Sequence, residues 1–205
     1  MTGADRTWRG DVVSLVEAFR NGERSPVDEA LATLAAIESS DLNAFSFVDA
    51  EGALARAEAA DVSLPLGGVP VGVKELHQVE GWPDTHASLL FADRIAPHDL
   101  TMIARLRAAG ANLIGLTTAS EFGGLNCSTT RLNGITRNPW RPDATPGGSS
   151  GGAGSAVAAG IGPGPFTGLR VGLAAARVLA LGLGIPVLGV PSHEAVALRL
   201  LVAGE

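Results

Sequence analysis

The chain has 205 residues, of which 46% are hydrophobic and 18% charged, so an ordinary globular core is expected and wholesale disorder is excluded. Its single cysteine, Cys127, excludes an internal disulfide and an all-cysteine metal site, and fits a reducing cytosol. A net charge of -6 argues against a dominant phosphate-binding surface, so we expect no direct nucleic-acid partner.

The first 60 residues are predicted to be mainly helical. Apolar residues follow the helical period over residues 11–20, and Ser25-Pro26-Val27-Asp28 is typical of the start of a helix that runs to about residue 37. A short strand is predicted over residues 45–48, followed by an alanine-rich helix over residues 52–61.

An alternation of helix and strand follows, which indicates an α/β fold. Three alternating valines predict a strand over residues 68–74 that ends near Lys74. Asp99 is expected to cap a helix that stops at Gly110, and residues 111–117 are predicted to form a buried strand. We therefore expect helices around a mixed or parallel sheet.

A long irregular segment occupies residues 121–154 and ends in a run of glycines and serines. A loop of this length inside a compact domain usually carries function. It leads into a helix of small residues predicted at about 153–160. Beyond it we predict a helix over residues 169–183, a strand over 185–190 and a last helix capped by Ser192.

Lys74 and Ser149 are the residues most suited to chemistry. Burial at the end of a valine strand would disfavour the ammonium form of Lys74, so the side chain could act as a base; the alternative is a lysine that extends to water. Glycine pairs on both sides of Ser149 and Ser150 allow a backbone that brings hydroxyls close to a ligand, although such a stretch is also typical of a flexible loop.

Two motifs together resemble the amidase signature family. Gly68-Val-Pro-Val-Gly-Val-Lys74-Glu-Leu resembles its lysine motif, and Pro146-Gly-Gly-Ser149-Ser150-Gly-Gly resembles its serine-rich signature. Between them, in the family's order, lie Glu80-Gly-Trp-Pro, Arg105-Leu-Arg-Ala-Ala-Gly-Ala, Ser120-Glu-Phe and Asn138-Pro-Trp. The resemblance runs from about residue 10 to 161, and it implies an amidase-like mixed sheet flanked by helices, here truncated.

The resemblance implies hydrolysis of carboxamide C–N bonds by a Ser-Ser-Lys triad without a cofactor or a metal. Lys74 would be the base, and Ser149, preceded by a cis peptide bond, would be the bridging serine. Ser150, Gly147, Gly148 and Gly151 would support the site, and Ser150 would add a hydrogen bond. The substrate would be a small-molecule amide.

The family's nucleophilic serine is not found in this sequence. The resemblance places it some two dozen residues beyond Ser149, near Leu173, and no serine lies between Ser155 and Ser192. The nearest hydroxyl is that of Thr167, six residues early. We therefore expect impaired hydrolysis, with the nucleophile unassigned and Thr167 as its weak candidate.

Residues 162–205 resemble a different family. Gly162-Pro-Gly-Pro-Phe-Thr-Gly-Leu-Arg170, together with Ser192-His-Glu-Ala, is similar to TsaB, the dimerisation subunit of the machinery for tRNA threonylcarbamoyladenosine synthesis. This implies an actin-like α/β fragment. We therefore predict two parts, 1–161 and 162–205, with a protein partner or a second copy bound through residues 165–190.

Three hypotheses remain open: an impaired amidase, a TsaB-like interaction subunit, and a fusion or truncation product without activity. Neither glycine-rich loop has a nucleotide-binding fingerprint. The four histidines lack metal-ligand spacing. Trp82 and Trp140 fall in the motifs that resemble the family's, which implies that they are packing residues. Glu121 with Phe122 is expected to order the long loop. Residues 1–11 do not resemble a signal peptide and the apolar run 178–191 is too short for a bilayer, so we expect a cytoplasmic protein without membrane contact.

Overall fold

A computed structural model of the chain describes residues 6–159. The elements predicted after residue 160, Thr167 and the C-terminal resemblance lie outside the described residues.

Two capped helices open the described part of the chain. Helix α1 spans Val12–Arg20, and the Asp11 side chain accepts a hydrogen bond from Ser14 N. Helix α2 spans Pro26–Glu38, with Ser25 as its N-cap and Pro26 in its first turn. Both helices confirm the predictions. The buried face of α1 packs Leu15 and Phe19 against Val69, so this helix covers the residue that precedes the strand beginning at Pro70.

A mixed three-stranded sheet forms the centre. Its strands are β1 (Phe45–Val48), β2 (Pro70–Lys74) and β3 (Asn112–Thr117), in the order β1-β3-β2. Strand β3 is antiparallel to β1, parallel to β2 and buried along its whole length. All three strands and the mixed sheet were predicted, because valine alternation and a continuous apolar run are strong strand signals.

Two helices connect these strands. Helix α3 spans Ala50–Glu58 and begins two residues before the predicted start, because Asp49 caps it by accepting a hydrogen bond from Gly52 N. Helix α4 spans Thr101–Ala108. Its buried Ile103 packs with Val73 and Leu113 in the main apolar cluster. These contacts fix β2, and with it Lys74, against the centre of the sheet.

The segment after β3 is less irregular than the sequence indicated. It contains a single 3-10 turn (Glu121–Gly123) and a small hairpin of β4 (Thr129–Thr130) and β5 (Gly134–Ile135). Helix α5 follows at Gly151–Ala159, two residues before the predicted start. The hairpin was missed because two-residue strands leave no periodic pattern.

Two predictions were wrong. Asp99 does not cap α4, because the N-cap position is Leu100. The Asp99 carboxylate instead accepts hydrogen bonds from Glu80 N and Arg107 Nε. Trp140 is not a packing residue within the described part, because it is 77% exposed. It lies in a turn in which Asn138 Oδ1 accepts hydrogen bonds from the backbone N–H groups of residues 140 and 141. Trp82 is buried, with its ring 5.2 Å from that of Phe47.

Over residues 6–159, none of the helices has the length and apolar character needed to cross a bilayer.

Candidate active site

The structure brings Lys74 and Ser149 together. Lys74 ends β2, and Ser149 stands two residues before α5 begins. The distance between Lys74 Nζ and Ser149 Oγ is 2.7 Å, which is a short hydrogen bond between residues 75 positions apart. Both side chains are half-buried. An ammonium donates this bond to the hydroxyl; once it loses a proton, the amine can accept the hydroxyl proton instead.

The segment that continues β3 holds these two residues in register. Thr117 O accepts a hydrogen bond from Glu75 N, on the lysine side. Ser120 N donates to Ser149 O at 3.1 Å, and Thr118 O accepts from Gly152 N at 3.0 Å, on the serine side. We call residues 117–120 the bridging segment. All four are buried, so water does not compete for these bonds.

Burial sets the protonation of the site. Desolvation lowers the pKa of Lys74 below its ordinary 10.5, because removal from water disfavours the ammonium form. The pKa of His77, whose backbone N donates to Lys74 O, is also lowered, first by burial and then by the lysine charge. Lys74 is the only lysine among the 205 residues, and the other 14 basic side chains are arginines. Any signal from a lysine amine therefore reports on this site alone.

Glycines shape the turn around Ser149. Gly147 has a φ of +91°, in the left-handed region that favours glycine. The Gly148–Ser149 peptide bond is cis, as the family resemblance implied. A Cβ on Gly148 would lie 2.6 Å from Cys127 N and 2.7 Å from Leu125 O, so the two backbones pack directly against each other. Glycine at these positions lets the chain bring the Ser149 hydroxyl to the lysine.

Hydrogen bonds inside the chain occupy the start of α5. Gly151 N donates to Ser128 Oγ at 3.0 Å, and Gly152 N donates to Thr118 O in the bridging segment. These two N–H groups are therefore not available to a phosphate, which argues further against a nucleotide cradle. Ser150 is exposed, and its hydroxyl makes no hydrogen bond to the residues that the structure describes, although its carbonyl accepts one from Gly154 N. The supporting bond expected from Ser150 is therefore not found there.

Glu75 is a residue of this region that sequence reasoning missed. It follows Lys74 directly and is 1% exposed. Asn133 Nδ2 lies 2.8 Å from both of its carboxylate oxygens, and Ala119 N donates to Oε1 at 3.4 Å. Burial raises the pKa of Glu75, while hydrogen bonds from Ser46, Ala119 and Asn133 act in the opposite direction. Its position directly after a buried strand was the available signal, because a carboxyl group in such a place needs partners.

The turn that contains Phe122 and Gly123 passes close to Ser149, and Phe122 is exposed. The position that a Cβ on Gly123 would take is 3.9 Å from Ser149 Oγ. Phe122 stacks on His86 and meets Phe91 edge-on, and its backbone N donates to His86 O. Glu121 and Phe122 therefore lie within an ordered turn, as expected. Cys127 is a half-buried free thiol. Among residues 6–159, no three His, Cys, Asp or Glu side chains are grouped as a metal site.

Two family models match the chain. The model described as Amidase matches residues 28–165, and one described as tRNA N6-adenosine threonylcarbamoyltransferase matches residues 152–205. The first confirms the resemblance carried by the lysine and serine motifs. The second confirms the link of the C-terminal residues to threonylcarbamoyladenosine synthesis, although its description does not single out TsaB.

The chain is also similar to whole proteins. It is 44% identical over 129 residues to the A subunit of glutamyl-tRNA(Gln) amidotransferase from Burkholderia pseudomallei, covering 60% of this chain and 26% of that protein. It is 42% identical over 156 residues to the Roseiflexus sp. protein of the same name, covering 72% and 32%. The chain thus spans about a third or less of the length of these relatives.

A solved structure shares the fold. A 6-aminohexanoate cyclic dimer hydrolase complexed with substrate superposes with a TM-score of 0.71 at 32% identity, covering 75% of this chain and 33% of the other. The predicted amidase-like α/β fold is thereby confirmed.

Proposed function

The chain belongs to the amidase family over residues 28–165, and on that premise we propose that it cleaves carboxamide C–N bonds, with Lys74 as the base and Ser149 as the hydroxyl that relays the proton. The observation that carries this proposal is the 2.7 Å contact between Lys74 Nζ and Ser149 Oγ. The names of the relatives support the class of bond, since they include a hydrolase and part of an amidotransferase. The substrate is a small-molecule amide.

The relay follows from the protonation of the pair. Neutral Lys74 accepts the Ser149 hydroxyl proton while Ser149 Oγ accepts a proton from the nucleophile, which attacks the amide carbonyl carbon. The C–N bond then breaks, and the relayed proton returns to the leaving nitrogen so that ammonia departs. Water then attacks the acyl group held by the nucleophile, giving its proton to the same relay, and the carboxylic acid leaves as the nucleophile regains a proton. Because only the neutral amine can start this sequence, the rate rises with pH through the lowered pKa of Lys74.

The sequence has no serine at the place where the family resemblance puts the nucleophile. No serine lies between Ser155 and Ser192, and Thr167 remains the nearest hydroxyl. We propose that hydrolysis is impaired for this reason. A small external nucleophile, hydroxylamine, can take the place of the missing hydroxyl: R–CO–NH₂ and NH₂OH give R–CO–NHOH and NH₃, with the proton passing through Ser149 to Lys74 and on to ammonia.

The test is to measure hydroxamate formation from a simple carboxamide and hydroxylamine with the purified full chain. We expect hydroxamate to form faster than free acid, and the rate to fall by about a hundredfold or more in Lys74→Met and in Ser149→Ala, as removal of a general base does. The matched control is Ser63→Ala, which removes an exposed serine hydroxyl bonded to Asp61. It should react like the unchanged chain.

Two outcomes would overturn the proposal. One is a hydroxamate rate that is the same in the unchanged chain, Lys74→Met and Ser149→Ala. The other is a rate that does not rise with pH, because a base that must be neutral imposes that dependence. Substitution of Thr167 by Val gives the further comparison: a loss of the residual free-acid product would identify its hydroxyl as the nucleophile.

A second candidate function follows from the match of residues 152–205 to the threonylcarbamoyltransferase model. Here residues 1–161 form an amidase part, and residues 162–205 bind a protein partner through residues 165–190. The test is association of the full chain with a purified component of a threonylcarbamoyladenosine synthesis complex, measured by sedimentation. Leu173→Asp, within the predicted helix, should abolish the complex. Absence of association by the unchanged chain contradicts this function, and a concentration-dependent dimer would point instead to a second copy.

A further inference from the structure

We propose that Glu75 is a positioning residue that fixes the Lys74 amine against the Ser149 hydroxyl by anchoring the bridging segment. This rests on the proposed amidase function for its purpose, but its evidence is the hydrogen-bond geometry.

Three separate parts of the chain donate hydrogen bonds to the Glu75 carboxylate. Asn133 bonds both carboxylate oxygens from the turn of the β4–β5 hairpin, at 2.8 Å each. Ser46, within β1, contributes a side-chain hydrogen bond to the same group. Ala119 N donates to Oε1 from the bridging segment. One buried side chain thus ties together elements that are far apart in sequence.

The anchor reaches Ser149 through two consecutive peptide groups. Ala119 N points to the Glu75 carboxylate, and the next N–H, that of Ser120, donates to Ser149 O at 3.1 Å. Glu75 is covalently joined to Lys74, so the lysine and the serine are attached to the two ends of this short path. A shift of Ala119 changes the position of Ser120, and with it the position of the Ser149 backbone.

The role of Glu75 is geometric. Successive residues of an extended strand point to opposite sides, so the carboxylate next to Lys74 is directed to the hairpin and the bridging segment. The lowered pKa of Lys74 has burial as its cause, and that burial requires the surrounding segments to stay closed. Of the neighbouring titratable groups, His77 contacts Lys74 through its backbone and has its pKa lowered by the same burial. Loss of the anchor should open the site to water and raise the pKa of Lys74.

The experiment measures the titration of the single lysine. In full chain labelled with ¹⁵N-lysine, the Nζ chemical shift gives one titration midpoint, because the sequence holds no other lysine. We expect a midpoint below 10.5 in the unchanged chain and a shift towards 10.5 in Glu75→Ala. Glu75→Gln keeps an oxygen for Ala119 N and should retain the original midpoint.

A matched control is available at Glu29. This carboxyl group is also fully buried and has a raised pKa, but it accepts a hydrogen bond from Trp8 N and pairs with Arg24, so it holds the N-terminal segment rather than the bridging segment. Glu29→Ala makes the same truncation as Glu75→Ala and should leave the midpoint of Lys74 unchanged. The proposal is overturned if folded Glu75→Ala titrates like the unchanged chain, or if folded Glu29→Ala shifts the midpoint equally.

Asn133→Ala provides a second test if Glu75→Ala does not fold, since it removes the partner of both carboxylate oxygens from a half-buried turn. It should shift the midpoint in the same direction, and an unchanged midpoint overturns the proposal. In the hydroxamate assay, Glu75→Ala should lower kcat by about a hundredfold with little change in KM, as misplacement of reacting groups does. The titration needs no turnover, so an inactive chain would contradict the amidase function and leave the positioning result readable.

Discussion

The central strand of the sheet and the long loop next to it are held by different interactions: β3 is buried along its whole length, whereas most of the loop is exposed and only a few of its side chains are buried. In strands β2 and β3 the buried side chains are mainly apolar, with Val73, Leu113 and Leu116 in one cluster. Around Ser149 many of the buried side chains are small and polar: Thr118, Ser120, Ser128, Thr136 and Ser155 are each 2% exposed or less. Apolar packing is non-directional, whereas each hydrogen bond fixes a particular geometry.

The difference explains where the precision of the site comes from. Packing against the sheet buries Lys74, but the hydrogen bonds of the bridging segment set the distance between Lys74 Nζ and Ser149 Oγ. A polar region of this kind is stable only if each buried group has a partner, so single changes there should disturb geometry as well as stability. Changes in the apolar cluster away from Lys74 and Thr117 should act mainly on stability.

The largest expected effect is in the sheet. Leu113→Ala removes a fully buried side chain of β3 and should lower the free energy of unfolding by about 2–5 kcal/mol, through lost burial and a residual cavity. Urea unfolding measures the change. Leu113→Met preserves volume and should cost less than about 1.5 kcal/mol. Equal losses in both variants would show that packing at this position does not support the sheet.

Helix α5 offers a paired test of close packing next to the site. A Cβ on Gly152 would overlap backbone atoms of Ala44 and Thr118, so Gly152→Ala should destabilise by about 1–3 kcal/mol and move Ser149 away from Lys74. A Cβ on Gly154 would contact nothing within 4 Å. Gly154→Ala should therefore stabilise by about 0.5–1 kcal/mol, the usual gain of alanine over glycine in a helix. Thermal unfolding separates the two, and a stable Gly152→Ala chain would contradict the structure.

A buried hydroxyl pair tests the polar region. Thr118 Oγ1 and Thr136 Oγ1 are 2.6 Å apart, and Thr136 Oγ1 lies 3.1 Å from Asn43 O. When Thr136 donates its proton to Asn43 O, Thr118 donates to Thr136 Oγ1. Thr136→Val leaves the Thr118 hydroxyl short of one partner and should cost about 1–2 kcal/mol. A double-mutant cycle with Thr118→Val isolates the coupling between the two hydroxyls. Additive losses would mean that the pair does not act as a unit.

The smallest effect concerns pH. Because burial raises the pKa of Glu75 above 4.5, the folded chain binds this proton more tightly than the unfolded chain. Between 4.5 and the raised pKa, this group therefore makes the free energy of unfolding fall as pH rises. Glu75→Gln removes the contribution and should give a flatter dependence of the urea midpoint on pH across that window. An identical slope in both chains would contradict a raised pKa.

The sequence predicted the elements that follow from periodic burial. Strands β1, β2 and β3 and helices α1 and α2 were placed within two residues, because their apolar spacing and caps are local signals. The pairing of Lys74 with Ser149 came from the resemblance of two motifs to a family. No spacing rule indicates that residues 75 positions apart will meet.

The polar scaffold of the site was not predictable in the same way. In the sequence, Ser128 and Thr136 cannot be distinguished from exposed loop residues. Their hydroxyls are buried because they bond to segments that are distant in sequence. Asp99 was misassigned because an acidic residue just before a helix usually caps that helix. Here its carboxylate accepts a hydrogen bond from Arg107 instead. Exposure of Trp140 was missed because its packing role was inferred from its place in a family motif, and the motif does not show which way the turn directs the ring.

The distance in sequence between Lys74 and Ser149 has a consequence for how the chain assembles. Their contact closes a loop of 75 residues, and such closure is entropically costly until intervening contacts have formed. During synthesis the lysine leaves the ribosome well before the serine does. A polypeptide cut anywhere between them would carry one half of the relay without the other, so the amine–hydroxyl contact can form only after synthesis has passed Ser149.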